Sequence, residues 1–468
     1  MKNTDWRMRI LRTLVLAAGM ASLVACGGRN GSKERSALPV GVFDSGTGGL
    51  TVLEKILSLD AYDNATLAPG ADGIPDFAAE HFQYLADQAN MPYGVYDAQG
   101  KSDLLRALVR EDARFLLGER YWKDAGEAAP SGVKPPCKIL VIACNTATAY
   151  GLEDVRAMLE AQGGGTKVIG VINAGVKAAL DRLEACQEPF AVGVLATPGT
   201  ISSGAYERTI RAELSARSLT LPVTVVNQAG YGFAEAVDAE PDYVNPSLSE
   251  PRASYRGPRL GTADDCIREE LLPVYGFEDR GLLYRSAGPL KLDLQLNSAA
   301  NYARFNLVSL VERHRASGSG VPLKAIILGC THYPFQLETL ERTLAELRAY
   351  EKDGVFPYRD LLPEDLVFID PARYVAIECF ESLKADGLLA APGSGRTVAG
   401  YISVPAAGLD PGWLGESGGL TFEYKYGRDA SAADFGTRAV PFADDNIPAD
   451  TRARIRVLLP CCAGELFP

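Results

Sequence analysis

The chain has few of the residues that metal sites and disulfide scaffolds require. It contains three histidines and nine cysteines in 468 residues. No CxxC, HExxH or Cys/His cluster is present in the sequence. Zinc sites are built from such clusters, and disulfide-stabilised domains are short and dense in cysteine. The sequence therefore predicts neither a metal site nor a fold that depends on disulfides.

Clustered positive charge and long apolar runs are also missing. The net charge is −12, and no run of Lys or Arg follows the first dozen residues. Binding to nucleic acid needs a clustered basic face, so we expect no nucleic-acid partner. With 47% hydrophobic and 23% charged residues, the composition is typical of a globular enzyme, and the length is ample for two domains.

The N-terminus has the pattern of an export signal. Three arginines within the first dozen residues precede the apolar stretch 14–25, which is too short to span a bilayer but suits a signal peptide. Leu23 to Cys26 resembles the lipobox of bacterial lipoproteins, in which the cysteine is acylated. We predict a signal peptide at 1–25, lipidation at Cys26 and a tether at 26–37. A cleaved signal with an incidental cysteine is the alternative.

Export would place the protein in the periplasm or at the cell surface, attached to a membrane by its lipid. The cysteines after Cys26 are even in number and could in principle pair in that location, and the sequence leaves their pairing open. The adjacent Cys461 and Cys462 are interpreted as small apolar residues after a strand, with a redox role as the alternative.

Strands and helices alternate along much of the chain, which favours a doubly wound, mostly parallel α/β fold. The predicted pairs are a strand at 38–43 with a helix from about 50, a strand at 138–143 with a helix at 146–160, a strand at 167–172 with a helix through 180, a strand at 190–196 with a helix from about 199, and a strand at 323–329 with a helix from Pro334 to Tyr350.

Other segments interrupt this alternation. Residues 60–78, 118–136 and 239–296 are rich in Pro, Gly, Asp and Ser and are predicted to be surface insertions. After about Leu389 the pattern becomes strand-like and predicts a separate, β-rich C-terminal extension. Its predicted strands are Thr397 to Ser403, Leu420 to Tyr426 and Arg454 to Leu459.

Two of the predicted strands end in the same way. One leads into Cys144, Asn145 and Thr146, and the other into Cys330, Thr331 and His332. The C-terminal edge of a parallel sheet is where α/β proteins bind their ligands, so the pair suggests an active site with two thiols.

A cysteine at a strand-to-helix turn can act as a base or nucleophile, because the helix N-terminus lowers the pKa of its thiol. Taken alone, each cysteine is better explained as a small buried residue, and Asn145 and Thr146 could merely cap a helix. The repeated arrangement, with His332 as a group able to tune the pKa of a neighbouring thiol, favours the catalytic interpretation.

Four motifs resemble those of the glutamate racemase family. In chain order they are Gly41-Val-Phe-Asp-Ser-Gly-Thr-Gly-Gly-Leu50, Met91-Pro-Tyr-Gly94, Ala143-Cys-Asn-Thr-Ala147 and Leu328-Gly-Cys-Thr-His-Tyr-Pro334. Weaker matches are Ile169-Gly-Val-Ile172, Val192 to Thr200 and Phe368-Ile-Asp370. The resemblance covers roughly residues 38 to 385 and leaves the C-terminal extension unexplained.

The resemblance implies two doubly wound α/β domains that face each other across an active-site cleft, without a bound cofactor. We place one domain at 38–170 with 359–385 and the other at 171–358. The predicted extension then occupies 386–468.

The resemblance also implies how the site works. Cys144 and Cys330 would be the two acid/base groups on opposite faces of the α-carbon, assisted by Asp44 and His332. The implied substrate-binding residues are Ser45, Pro92, Tyr93, Gly94, Asn145, Thr146, Thr197, Thr200 and Thr331.

The chain departs from the family in one segment and in its predicted location. Residues 228–238 lack the usual Cys-Pro and final glutamate, and Asp238 or Glu235 would have to replace that carboxylate. The family normally supplies D-glutamate for cytoplasmic synthesis of peptidoglycan precursors, which an exported protein does not easily do. We therefore expect a racemase for glutamate or a related acidic or wall-derived amino acid. A non-catalytic lipoprotein that binds an amino acid or a peptidoglycan fragment, an aspartate racemase or related isomerase, and a homodimeric state stay open.

Overall fold

A computed structural model describes residues 34–467 apart from 164, 185, 187, 288, 289, 416, 417 and 433. The strands are β1 Val40–Asp44, β2 His81–Ala86, β3 Arg120–Tyr121, β4 Gly132–Val133, β5 Ile139–Ile142, β6 Lys167–Gly170, β7 Phe190–Ala196, β8 Val223–Ala229, β9 Leu282–Ala287, β10 Leu290–Leu296, β11 Leu323–Gly329, β12 Val367–Ile369, β13 Thr397–Pro405 and β14 Thr437–Pro441. The α-helices are α1 Leu50–Leu57, α2 Gly94–Ala98, α3 Ser102–Leu117, α4 Asn145–Gln162, α5 Val171–Leu183, α6 Pro198–Ser202, α7 Ala205–Ala216, α8 Phe233–Val237, α9 Leu272–Tyr275, α10 Ala299–Ala316, α11 Leu337–Ala349, α12 Pro371–Ala385, α13 Phe422–Gly427, α14 Ala449–Leu458 and α15 Pro460–Leu466.

The first large sheet has six strands in the order β14-β13-β2-β1-β5-β6. All its neighbours are parallel except the antiparallel pair β13 and β14. Every residue of β1 and β5 is buried, as expected for central strands covered by helices on both faces. Their C-terminal ends place Asp44 and Cys144 at the same edge of this sheet.

The second large sheet has four parallel strands in the order β12-β11-β7-β8. The strand β7 is buried along its whole length, and β11 is buried apart from Lys324. Cys330 follows β11, and Thr197 follows β7. The mixed α/β architecture with mainly parallel sheets confirms the predicted fold class.

The range 359–385, predicted to belong to the first domain, contributes to both halves of the protein. Strand β12 pairs with β11 in the second sheet, whereas α12 packs into the core of the first sheet through Val375, Cys379 and Phe380. The strand at 167 also ends earlier than predicted, since helix α5 begins at Val171.

The C-terminal region is not a separate extension. Strand β13 pairs in parallel with β2 and carries β14 on its other side, so both enlarge the first sheet. The other two predicted strands are wrong, because these residues lie in α13 and at the junction of α14 and α15. The Thr421 hydroxyl accepts the amide of Tyr424 and so starts α13. The apolar residues Ile455 and Leu459 are four positions apart, a spacing that buries both on one helix face.

The predicted surface insertions also contribute to the cores. Segment 239–296 places Tyr255, Ile267 and Tyr275 in the core around the second sheet. Segment 60–78 buries Tyr62 and Phe77 against Phe380. Their turn-rich composition indicated loops for parts of these segments, but 239–296 also contains α9, β9 and β10, and the buried apolar side chains anchor the segments to the cores.

The predicted signal peptide, Cys26 and most of the predicted tether lie outside the described residues. Within the described part of the chain, no helix combines the length and the apolar character needed to cross a membrane. The cysteines in that part are all free thiols. Cys461 and Cys462 lie in helix α15, not after a strand as predicted.

Candidate active site

The turn after β1 is organised by the carboxylate of Asp44. Its Oδ2 accepts the backbone amides of Gly46 at 3.1 Å and Gly49 at 2.9 Å. A Cβ atom at Gly49 would lie 2.4 Å from Cβ of Asp44, so only glycine permits this close approach. Burial raises the pKa of Asp44, although both amide hydrogen bonds act in the opposite direction. The turn therefore fixes a carboxyl group beside the tip of β5.

Cys144 occupies that tip as the N-cap of helix α4. Its Sγ accepts the amide of Ala147 at 3.4 Å, and its thiol donates to Oγ of Ser45 at 3.7 Å. The residue is only 8% exposed. Asp44 and Ser45 are adjacent and Cys144 lies about a hundred positions later, and the three form one group of polar contacts at the sheet edge.

The environment of Cys144 does not lower the pKa of its thiol, contrary to the expectation for a helix N-terminus. Burial, followed by the negative charge of Asp44, raises the pKa of Cys144 to about 12. Hydrogen bonds that Ala147 and Ser45 donate to the sulfur in its thiolate form act in the opposite direction but are outweighed. Cys144 is therefore a protonated thiol in this arrangement, ready to donate a proton.

Cys330 lies at the tip of β11 beside a histidine. Its Sγ is 3.5 Å from Nδ1 of His332, and the same nitrogen is 3.4 Å from Oγ1 of Thr331. Cys330 is 7% exposed. The two thiols thus have different neighbours, a carboxyl group at Cys144 and an imidazole at Cys330.

The other ring nitrogen of His332 meets a carboxylate. Nε2 lies 3.1 Å from Oδ2 of Asp238, just after helix α8. Burial disfavours the charged ring, but the hydrogen bonds to Asp238 and Cys330 outweigh it, and the pKa of His332 is raised well above its ordinary value. Burial likewise disfavours a charged Asp238, but His332 and Arg454 lower its pKa. Of the two carboxylates considered from the sequence, Asp238 is the one bonded to the histidine.

The Asp44 turn and the Cys330 tip contact each other across the two sheets. A Cβ atom at Gly48 would lie 2.9 Å from Cε1 of His332 and 3.3 Å from Oγ1 of Thr331. The charge of His332 also lowers the pKa of Asp44, against the larger effect of burial. The groups that accompany the two cysteines therefore belong to one site.

The predicted binding threonines link the two halves of the protein at this site. Oγ1 of Thr146, at the start of α4, lies 3.4 Å from Oγ1 of Thr200. The hydroxyl of Thr197 donates to the same Thr200 oxygen at 3.0 Å. Nearby, Tyr206 of α7 donates its hydroxyl to Oδ1 of Asn145 at 2.8 Å. These hydrogen bonds join the start of α4 to α6 and α7.

Tyr93 differs from the prediction that it holds the substrate. Its ring is buried, and its hydroxyl lies 2.5 Å from Oδ2 of Asp87 and 2.8 Å from Oδ2 of Asp112. Burial raises the pKa of both carboxyl groups. The Tyr93 hydroxyl is therefore hydrogen-bonded within the core beside the first sheet.

Pro92 and Gly94, on either side of Tyr93, lie at the boundary between the halves of the protein built around the first and the second sheet. Pro92 follows a cis peptide bond. A Cβ atom at Gly199 would lie 2.8 Å from Cα of Gly94, so the start of α2 packs directly against α6. The motif at 91–94 therefore contributes its backbone, and not the tyrosine hydroxyl, to the boundary near Thr197 and Thr200.

A small cavity opens beside His332. It is lined from the first sheet by Thr47 and Gly48, from the second by Asp238 and His332, and from α14 by Arg454 and Ile455. Sequence reasoning missed Arg454 because its segment was assigned to a strand in an unrelated extension. It also missed Tyr206, which no motif marks. Within residues 34–467 as described, no group of three or more His, Cys, Asp and Glu could hold a metal ion.

Comparison with known proteins points to one family. No model of a protein family matches the chain. The chain is 33% identical over 194 residues to the glutamate racemase of Aquifex aeolicus (strain VF5), covering 41% of this chain and 58% of that protein. It is 25% identical over 358 residues to the glutamate racemase of Chlorobaculum tepidum, covering 76% of this chain and 84% of that protein. The chain therefore spans less than two thirds of the Aquifex relative.

Solved structures give a looser likeness. Glutamate racemase isoform RacE1 from Bacillus anthracis is 22% identical, with a TM-score of 0.44, 78% of this chain covered and 88% of that chain. This overlap is too loose to carry a functional argument.

Proposed function

We propose that the protein is an amino-acid racemase similar to glutamate racemase, which inverts the α-carbon of its substrate with two cysteines. The observation that carries the proposal is the pairing of each thiol with its own titratable partner. Cys144 lies with Asp44 and Ser45, and Cys330 lies with His332 and Asp238. Similarity to two curated glutamate racemases supports the same activity.

The proton transfers follow from the different surroundings of the two thiols. Next to a protonated His332, Cys330 in its thiolate form would accept the α-proton from one face of the substrate. The buried Cys144 thiol would then donate its proton to the opposite face of the carbanion. One C–H bond breaks and one forms, and the product is the mirror image of the substrate. In the reverse direction, Cys144 accepts the proton and Cys330 donates it.

The neighbouring groups favour this distribution of protons. The raised pKa of His332 favours a positive charge on the ring beside Cys330. The raised pKa of Cys144 keeps its proton available for donation. A cationic group beside one thiol and a retained proton on the other suit the division of labour that general acid–base catalysis requires.

Side chains at the boundary between the two halves of the protein would position the substrate. We assign the amino and carboxylate groups of the substrate to Ser45, Asn145, Thr146, Thr200 and Thr331, with the backbone of Gly94. Their hydroxyl and amide groups come from both halves of the protein, so a bound amino acid would be held between the two thiols. Glutamate is our first choice of substrate, because the relatives are named for it.

Location is a separate part of the proposal and depends on the sequence. The arginine-rich start, the apolar stretch 14–25 and the motif ending in Cys26 support export and attachment to a membrane by lipid. A racemase in that position would act on amino acids outside the cytoplasm. A role as a non-catalytic binding protein is not favoured, because both thiols and their partner groups are retained.

The proposed activity can be tested with a panel of amino acids. The protein without residues 1–25 is incubated under reducing conditions with L- and D-glutamate, L- and D-aspartate and L- and D-alanine. Chiral chromatography then measures interconversion. We expect interconversion of glutamate or another acidic amino acid. Folded protein that converts none of the panel would contradict the proposal.

A further inference from the structure

The strongest unassigned contact in the site comes from the C-terminal helix α14. Nη1 of Arg454 lies 3.2 Å from Oδ1 of Asp238 and donates to the backbone oxygen of Asp238 at 2.9 Å. The other carboxylate oxygen, Oδ2, lies 3.1 Å from Nε2 of His332. Asp238 therefore uses one oxygen for the arginine and the other for the histidine.

From this arrangement we propose that Arg454 is a positioning residue: it holds the Asp238 carboxylate against His332 and thereby orients the imidazole toward Cys330. The proposal deepens the racemase function proposed above and rests on it. Arg454 acts through Asp238 and touches neither thiol. The C-terminal region would then be part of the active site and not an appendage.

Helix α14 is docked firmly enough for such a role. Ile455 and Leu459 are buried in the core of the first sheet. At the start of α15, the amides of Cys461 and Cys462 donate to the carboxylate of Glu54 at 3.1 Å and 2.8 Å. Glu54 lies on α1, which immediately follows the Asp44 turn. The same helix that anchors the C-terminal region thus borders the turn beside Cys144.

The position of α14 also closes the lining of the cavity beside His332. Arg454, Ile455 and Leu458 form one wall, opposite Thr47 and Gly48 of the Asp44 turn. The arginine therefore bridges from the first sheet, on which its helix packs, to Asp238 after the second sheet. This bridge connects the two halves beside His332.

The charges around Asp238 indicate why a cation is needed there. Asp238 faces His332 on one side and Arg454 on the other. The carboxyl groups of Glu235 and Glu240 are also close enough for the negative charge of Asp238 to raise their pKa values. Without Arg454, the two glutamates would repel the carboxylate and one of its positive neighbours would be lost. We expect Asp238 then to leave His332 more readily.

The test compares Arg454→Met and Arg454→Lys with the parent. Methionine keeps most of the length and packing of the side chain without its charge, whereas lysine keeps a charge. Arg456→Met, at an exposed position on the same helix, is the matched control. The first readout is the titration of His332 by NMR, assigned against His81 and His314 with a His332→Gln variant. It requires folded protein but no turnover.

The positioning role predicts a lower pKa for His332 in Arg454→Met, an intermediate value in Arg454→Lys and no change in Arg456→Met. An unchanged or raised pKa in Arg454→Met would overturn the proposal, because removal of a cation that merely repels the imidazolium raises its pKa.

The second readout is the rate of racemisation. We expect Arg454→Met to lower kcat roughly tenfold, less than loss of a group that transfers the proton itself, with KM nearly unchanged and partial rescue by Arg454→Lys. Equal rates in the parent and Arg454→Met would contradict the role in the reaction. A parent protein without activity would refute the proposed function alone, since the titration of His332 still decides whether Arg454 positions Asp238.

Discussion

Nε2 of His332 and Oδ2 of Asp238 are 3.1 Å apart, and this contact connects a loop after α8 to the tip of β11. It joins two residues that are almost a hundred positions apart in the sequence and belong to segments of unlike composition. Because Nδ1 of the same ring faces Cys330, the contact influences both the charge and the orientation of the imidazole beside that thiol.

Replacement of Asp238 by Asn should therefore change how stability depends on pH. The raised pKa of His332 contributes stability that is complete below about pH 6.5 and is lost as the pH rises through its folded-state pKa. The lowered pKa of Asp238 contributes stability that is complete above about pH 4 and is lost as the pH falls through its folded-state pKa.

The parent should thus exceed Asp238→Asn in melting temperature most clearly between about pH 4 and 6.5, with the difference shrinking at higher and lower pH. Thermal unfolding across this range measures it. A difference that does not vary with pH would show that the contact is not an ion pair.

Gly48→Ala should impair the site without unfolding the protein. The added methyl group would lie 2.9 Å from Cε1 of His332, so the imidazole must move. Gly408→Ala is the matched control, because a Cβ at that exposed glycine meets nothing within 4 Å. We expect Gly48→Ala to lose most of its activity, with a melting temperature close to that of the control. Full activity in Gly48→Ala would mean that the turn and His332 are not held together.

Tyr93→Phe should affect stability more than substrate binding. The phenol is shared by the buried carboxyl groups of Asp87 and Asp112, and its loss leaves both without this partner. Leaving a buried polar group unsatisfied costs about 1–3 kcal/mol. Urea unfolding should show a loss of this size, while KM changes little. A large rise in KM with unchanged stability would instead assign the hydroxyl to the substrate.

Cys26→Ala tests the predicted lipid anchor. In a bacterial host supplied with labelled palmitate, the full-length parent should incorporate the label and sediment with membranes. Cys26→Ala should lose the label. Cys266→Ala, which removes a partly exposed thiol elsewhere in the chain, should keep it. Equal labelling of Cys26→Ala and the parent would rule out the predicted lipidation site.

The sequence was most informative where function and local pattern coincide. The strands before Asp44, Cys144 and Cys330 are continuous apolar runs that end in polar residues, and each is recognisable without its neighbours. The tips after β1 and β5 share one edge of the first sheet, so the proximity of Asp44 and Cys144 followed from the fold class. Cys330 follows β11 in the second sheet, and its position depends on how the two sheets face each other. Four short motifs then specified which polar residues to expect there.

Contacts between distant segments were harder to predict. Arg454 to Leu459 alternates in a way that fits a strand, which would place Ile455, Val457 and Leu459 on one face. In the structure Ile455 and Leu459 are buried while Val457 is 78% exposed, a pattern that fits a helix. Nothing in this segment indicates that Arg454 meets Asp238, because the contact depends on how α14 docks against the first sheet. The pKa of Cys144 was also hard to predict. The local sequence indicates a helix N-terminus, which lowers the pKa of a thiol, but not the burial that outweighs this effect and raises the pKa.

The central claim is that each thiol transfers a proton on its own face of the substrate, and deuterium exchange tests it most directly. The parent, Cys144→Ala and Cys330→Ala are incubated with each enantiomer of the best substrate in D2O under reducing conditions, and NMR follows the α-proton. We predict that the parent converts either enantiomer with incorporation of deuterium at the α-carbon, and that each folded single variant fails to racemise. Racemisation that persists in either cysteine variant would contradict the two-thiol account.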